Sequence, residues 1–219
     1  MKVISAYLCL LVIISSLGAD VFITENFKNM DKWEELIFPK IENRTEFSIM
    51  DEEFLKIESN NSASALKMTE LFDIFKYPIL SWKWKVENII EKGDARKKSG
   101  DDYPIRIYVI FEYDPNKAGF KEKLQYNTYK LIYGEYPPLA SLNYIWSNKN
   151  LNADYIPSPY TDKAILIPMD NGKLNLGIWK NYSVNILEDY CKVFGSEPPK
   201  TASLAIMGDS DNPGEKPLA

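Results

Sequence analysis

Histidine is absent from all 219 residues, and cysteine occurs only twice. The first absence removes Ser-His-Asp and Cys-His nucleophilic catalysis, the usual zinc-ligand sets and any imidazole general base. A reaction carried by this chain would have to run on carboxylates, Lys, Tyr, Arg or an oxygen-bound metal. Positive charge is also in deficit, with 26 Lys and Arg against 31 Asp and Glu and a net charge of −5. That balance argues against general nucleic-acid binding, which needs a basic face. Beyond Leu17 no apolar run approaches the roughly 20 residues of a membrane helix.

The one long apolar run stands at the start of the chain. Met1-Lys2 leads into Val3–Leu17, with Ser16, Gly18 and Ala19 as small residues before Asp20. One positive charge, an apolar core of about 15 residues and a small-residue exit match a secretory signal peptide. The sequence therefore predicts a signal peptide over 1–19, cut after Gly18 or Ala19, and a single domain over 20–219. The competing reading is an N-terminal anchor that is not removed. Loss of the leader takes Cys9 with it and leaves Cys191 without an intrachain partner. An exported domain without disulfides suits a bacterial envelope, so the expected location is secreted or periplasmic, with no membrane span after signal removal.

Beyond the leader the chain is rich in aromatics and alternates with period two, the pattern of half-buried strands. Thr45, Phe47 and Ile49 alternate with polar neighbours. Phe54–Ile57 and Ser62–Met68 read as the next strands. Over Ile79–Val86, the residues Leu80, Trp82, Trp84 and Val86 share one face, opposite Ser81, Lys83 and Lys85. The longest expected strand is Tyr103–Tyr113, and Leu139–Trp146 is another. Ala164–Met169 and Leu174–Trp179, joined through Asn171-Gly172, read as a tight hairpin. One helix is expected, with Ile186, Leu187, Tyr190, Val193 and Phe194 at helical spacing and Gly195 as its cap. A last strand covers Thr201–Met207. The pattern predicts a mainly β fold: a jelly-roll-like antiparallel β-sandwich with one short helix in its C-terminal half.

Four segments, taken together, carry a family resemblance. They are Ser62-Ala63-Ser64-Ala65-Leu66, Leu80-Ser81-Trp82-Lys83-Trp84-Lys85-Val86, Gly100-Asp101-Asp102 followed by Arg106–Phe111, and Leu142-Asn143-Tyr144-Ile145-Trp146. Asp189-Tyr190, Phe194-Gly195, Pro198-Pro199 and Asp209-Ser210-Asp211-Asn212 extend the match. In this order and spacing they resemble the bacterial domain-of-unknown-function family 3047. The resemblance implies an exported protein without an established activity, and a fold similar to the jelly rolls of carbohydrate-binding modules. It also implies a closing strand after the Asp-rich turn, where this chain stops at Ala219. Likeness of fold alone carries little functional weight.

Four constellations bear on chemistry. The polar strand faces hold Lys83, Lys85, Arg106, Tyr108, Ser141 and Asn143, which would form one patch for sugar hydroxyls or carboxylates if their strands were neighbours. The alternative is an ordinary solvated sheet face. Asp101 and Asp102 form a paired-carboxylate loop before Arg106. Asp102 and Arg106 stand about 13 Å apart along an extended strand, so they meet only if the loop folds back. Asp209-Ser210-Asp211-Asn212-Pro213-Gly214-Glu215 suggests a simple calcium turn, with Asp209 and Asp211 as ligands; Pro213 rules out an EF-hand. Trp179 and the tyrosines Tyr133, Tyr136, Tyr155 and Tyr160 are candidates for stacking on sugar rings, whereas Trp82, Trp84 and Trp146 read as core. The leading expectation is a non-catalytic binding domain for a saccharide or cell-envelope glycan, with no cofactor other than calcium. A glycan hydrolase or lyase using Asp acid–base groups is the alternative. A structural, partner-binding envelope protein is the third.

Overall fold

A computed structural model of the chain describes residues 3–17, 20–116, 119–133 and 136–211. The first strands are β1 (Ile4–Ile14), β2 (Val21–Glu25), β3 (Trp33–Ile37), β4 (Glu46–Met50) and β5 (Phe54–Ser59). They are followed by β6 (Ala63–Met68), β7 (Phe72–Asp73), β8 (Ile79–Val86) and β9 (Arg106–Phe111). Helix α1 (Phe120–Tyr133) precedes β10 (Ala140–Ser147), β11 (Ile156–Ser158), β12 (Thr161–Asn171) and β13 (Lys180–Asn185). Helix α2 (Ile186–Phe194) and β14 (Thr201–Asp209) complete the described elements.

The strands form two sheets packed as a sandwich. One has the order β13-β8-β1-β5-β4, with β2 also paired to β1. The other runs β11-β12-β10-β9-β14-β6-β3, with β7 also paired to β14. All pairings are antiparallel except β10 with β12, which are parallel. The core forms where the inward rows of the two sheets meet. Trp82 of β8 lies 5.3 Å from Tyr144 of β10, and Trp84 lies 6.4 Å from Trp146, measured between ring centroids. On β9, Ile107, Val109 and Phe111 face the same interior and are fully buried. These are the rows that period-two alternation puts inside.

Helix α2 follows its sequence signals closely. The Asn185 carboxamide oxygen accepts from the backbone N–H groups of Leu187 and Glu188 at 3.1 and 3.3 Å, and Gly195 caps the other end. Tyr190 then packs on Phe111 at 4.5 Å, closing one end of the core. Helix α1 has no counterpart in the strand pattern. Leu124 and Leu131 are exposed along it, so its apolar spacing is weak. Tyr126 anchors it by stacking on Tyr113 at 3.8 Å.

The expected hairpin around Asn171-Gly172 is not formed. Gly172 does adopt the positive φ of +59° that a tight turn needs. However, β12 pairs in parallel with β10, and the chain after the turn crosses to the other sheet as β13 beside β8. Asp170 holds this crossover by accepting hydrogen bonds from Asn175 and from the Tyr182 hydroxyl. The Asn-Gly pair sets a local bend, and tertiary partners choose where the next strand goes. The expected strand Tyr103–Tyr113 shortens to Arg106–Phe111, because Tyr103 and Pro104 belong to a loop folded onto β14.

The apolar N-terminal run, expected to be a leader, forms β1 at the centre of the six-stranded sheet. The expected cleavage positions Gly18 and Ala19 lie outside the described residues. No helix among the described residues is long and apolar enough to cross a membrane.

Two substitutions test this packing. Trp84 has no exposed surface; Trp84→Ala should cost about 3–5 kcal/mol in urea unfolding. Asn185→Ala removes a helix cap and should cost about 1 kcal/mol in the same assay.

Candidate functional site

The polar patch expected from strand alternation is divided between the two outer faces of the sandwich. Lys83 and Lys85 lie on β8, whereas Arg106 and Tyr108 lie on β9, and Ser141 and Asn143 on β10, in the other sheet. Alternation tells which side of its own sheet a residue faces, and it does not tell which sheet.

On the outer face of the six-stranded sheet the two lysines meet Trp179. Lys83 and Lys85 stand 5.3 and 5.6 Å from the Trp179 ring, and Lys85 stands 4.6 Å from Tyr7. Phe54 joins them, edge-on to Trp179 at 5.9 Å. This is a half-buried cation–aromatic platform.

On the eight-stranded sheet, the two Asp-bearing segments converge on Arg106. Residues 101–104 fold back over β14, so that the backbone N–H of Tyr103 donates to the Asp209 carboxylate at 3.1 Å. Gly208 permits this approach, since a Cβ there would lie 2.9 Å from the Pro104 carbonyl oxygen. Asn148 pins the same loop by donating to the Asp102 carbonyl oxygen at 2.5 Å. Arg106 then reaches both segments: one terminal nitrogen donates to Asp209 at 2.5 Å and the other to Asp101 at 3.4 Å. The Tyr103 hydroxyl donates to Asp101 at 2.9 Å, and the guanidinium lies over the Tyr103 ring at 4.8 Å. Carboxylate oxygens of Asp102, Asp209 and Asp211 lie within 4.8 Å of one another. Asn212–Glu215 of the expected calcium turn lie outside the described residues.

Charge at this point is unbalanced, with four carboxylates gathered around one guanidinium. Arg106 and Asp209 are only 6% and 2% exposed. Burial pushes the Asp209 carboxyl well above the usual carboxylate range; Arg106 opposes the rise, and Asp102, Asp101 and Asp211 reinforce it. Burial likewise raises Asp211. Like charges brought together in a low dielectric must take up a proton or a cation. Three carboxylate oxygen donors make the cluster suitable for a hard divalent cation such as calcium.

The face continues from this cluster into a cavity. Tyr108 follows Arg106 on the outer row of β9, and Asn143 of β10 stands directly opposite it. Past them is a cavity of about 260 Å³ lined by Tyr108, Ile110, Leu139, Ser141, Lys163 and Ala164. Two buried polar atoms on this face, Nε of Arg106 and Oδ1 of Asn143, have no hydrogen-bond partner among the described residues. Exposed Tyr160 lies near the acidic cluster, its hydroxyl donating to the Lys98 carbonyl oxygen at 3.1 Å. Burial raises its phenol, and the charges of Asp101, Asp211 and Asp102 add to the rise.

A family model covers residues 31–219, and its description is DUF3047, protein of unknown function. The chain belongs to this family. A search of curated proteins finds no match to it. Within the matched range, Gly100-Asp101-Asp102, Arg106 and Asp209-Ser210-Asp211 all meet at one end of the eight-stranded sheet.

The structure brings together Asp101, Asp102, Arg106, Asp209 and Asp211, which the sequence had singled out, and adds Tyr103 and Asn148, which it had not. Tyr103 reads as a core position of a strand, and only the loop's fold-back turns its hydroxyl to Asp101. Of the proposed stacking residues, Trp179 and Tyr160 reach the two faces; Tyr133 falls in α1, and Tyr136 instead donates to Asn127 at 2.9 Å.

The raised carboxyls make a pH prediction. A folded-state pKa above the unfolded value of about 3.9 means that the native state holds the proton longer. The stability this group contributes is present below pH 4 and is lost as pH rises through its folded pKa. Asp211→Asn removes one such group. Measured in EDTA, its melting temperature relative to wild type should rise as pH goes from about 4 to 7.

Proposed function

We propose that this chain is an exported, non-catalytic ligand-binding β-sandwich of a bacterial envelope, taking a saccharide ligand beside a bound calcium ion. The reading rests on the Asp102–Asp209–Asp211 cluster, whose ligand oxygens lie within 4.8 Å of one another next to a fixed guanidinium. Calcium would relieve the excess negative charge, and its remaining coordination positions could be filled by sugar hydroxyls. Tyr160, exposed beside the acidic cluster, could add an aromatic contact. The family resemblance supports the export reading.

A glycan hydrolase or lyase is the second reading, and the close approach of the carboxylates favours it. Both Asp209 oxygens already accept hydrogen bonds, from Tyr103 and Arg106. The acid–base pair of that reading is Asp102 with Asp211, whose carboxylate oxygens lie within 4.8 Å of each other, burial keeping Asp211 protonated to higher pH.

Calcium titration followed by thermal melting separates these readings. Calcium at a hundredfold excess over Kd should stabilise the chain by about 2.7 kcal/mol, a shift of several degrees. An Asp102→Asn/Asp211→Asn variant should show no such shift, and glycan-array binding by the wild type should disappear in EDTA. A folded chain that takes up neither calcium nor any glycan overturns the proposal. Release of sugar products that stops in Asp102→Asn replaces it with the enzymatic reading.

A further inference from the structure

Strand β1 occupies a place that no other described strand fills. It pairs with β8 from Ala6↔Val86 to Ile14↔Ile79, and with β5 from Ile4↔Ser59 to Leu8↔Leu55. Both neighbours run antiparallel to β1 and hence parallel to each other, about 10 Å apart. Without an intervening strand, both would present unpaired ladders facing a gap in the middle of the sheet.

The fit is specific in phase. Ala6, Leu8, Leu11 and Ile13 point inward and are fully buried. A register shift between Leu8 and Leu10 changes the alternation partway along the strand. Consequently the neighbours Cys9 and Leu10 both lie off the inward row, which resumes at Leu11: Leu10 is 40% exposed and Leu11 is 0% exposed. An export leader needs an apolar stretch and has no use for such a phase. The family match begins at residue 31, so the strand at the centre of this sheet comes from outside the matched segment.

We infer that the gap between β8 on one side and β5 followed by β2 on the other is a strand-acceptor site, and that residues 4–14 of this chain are the strand it holds in the folded protein. The segment therefore acts as a structural strand, and an exported form keeps it attached. The inference is independent of the ligand proposed above, since its test reads folding alone.

The first test uses the full-length chain. Leu11→Ala should lower the melting temperature by about 10 °C, and Leu10→Ala should change it by no more than about 2 °C. Equal effects of the two substitutions would overturn the inference, since a segment that contributes only bulk hydrophobicity cannot distinguish them. A second test uses a chain of residues 20–219 with and without a synthetic peptide of residues 3–15. Cooperative unfolding, followed by tryptophan fluorescence, should appear only with the peptide. Cooperative unfolding of the shortened chain alone, at the midpoint of the full chain, would sink the idea.

Discussion

The contact between Trp84 and Trp146 spans the sandwich, and Trp82 repeats it against Tyr144 one step along β8. These large side chains fill the space between sheets that pack about 10 Å apart. Through them the spacing of β8 from β10 is set, and with it the separation of the two outer faces. One outer face carries Lys83, Lys85 and Trp179. The other carries Arg106, Tyr108 and Asn143. The aromatic layer therefore stabilises the fold and also keeps two sets of polar residues from acting together.

Charge is handled very differently on the two faces. On the six-stranded sheet, lysine side chains lie over aromatic rings and Lys85 also pairs with Glu87 at 2.7 Å, all in partly exposed positions where such pairs contribute little. On the eight-stranded sheet the charges are buried. Arg106 ties β9 to β14 through Asp209, and to the loop before β9 through Asp101. Removing one partner there would leave an uncompensated charge in a dry site. The excess of carboxylates over cations is a local instability that the rest of the sandwich carries, a common mark of sites that exist to bind.

Much of the fold is legible in the chain. The two tryptophans of β8, the inward row of β9 and the capped helix α2 each follow from spacing and residue type alone. The Asp motifs are legible as well, since acidic residues beside Gly and Ser turns stand out against apolar strands. Their convergence is not legible: Asp102 and Asp209 are more than a hundred residues apart, and a loop reversal together with a close approach at Gly208 joins them. Helix α1 escapes notice because, among its described side chains, Leu124 and Leu131 are exposed and Tyr126 is the buried anchor. The turn at Asn171-Gly172 has hairpin chemistry, yet Asp170, Asn175 and Tyr182 direct the chain into the opposite sheet.

By itself the sequence determined the chemistry on offer: no imidazole, few thiols, many carboxylates, and strands whose alternation separates core from surface. Those properties are local, set by residue type and by the two-residue repeat of an extended backbone. Tertiary structure alone decided which strand joins which sheet, how the acidic segments gather around Arg106, and that an apolar stretch shaped like a leader lies between β8 and β5. Strand pairing depends on partners far away in the chain, and a hydrophobic run has the same composition whether it is bound for a membrane or for the centre of a sheet.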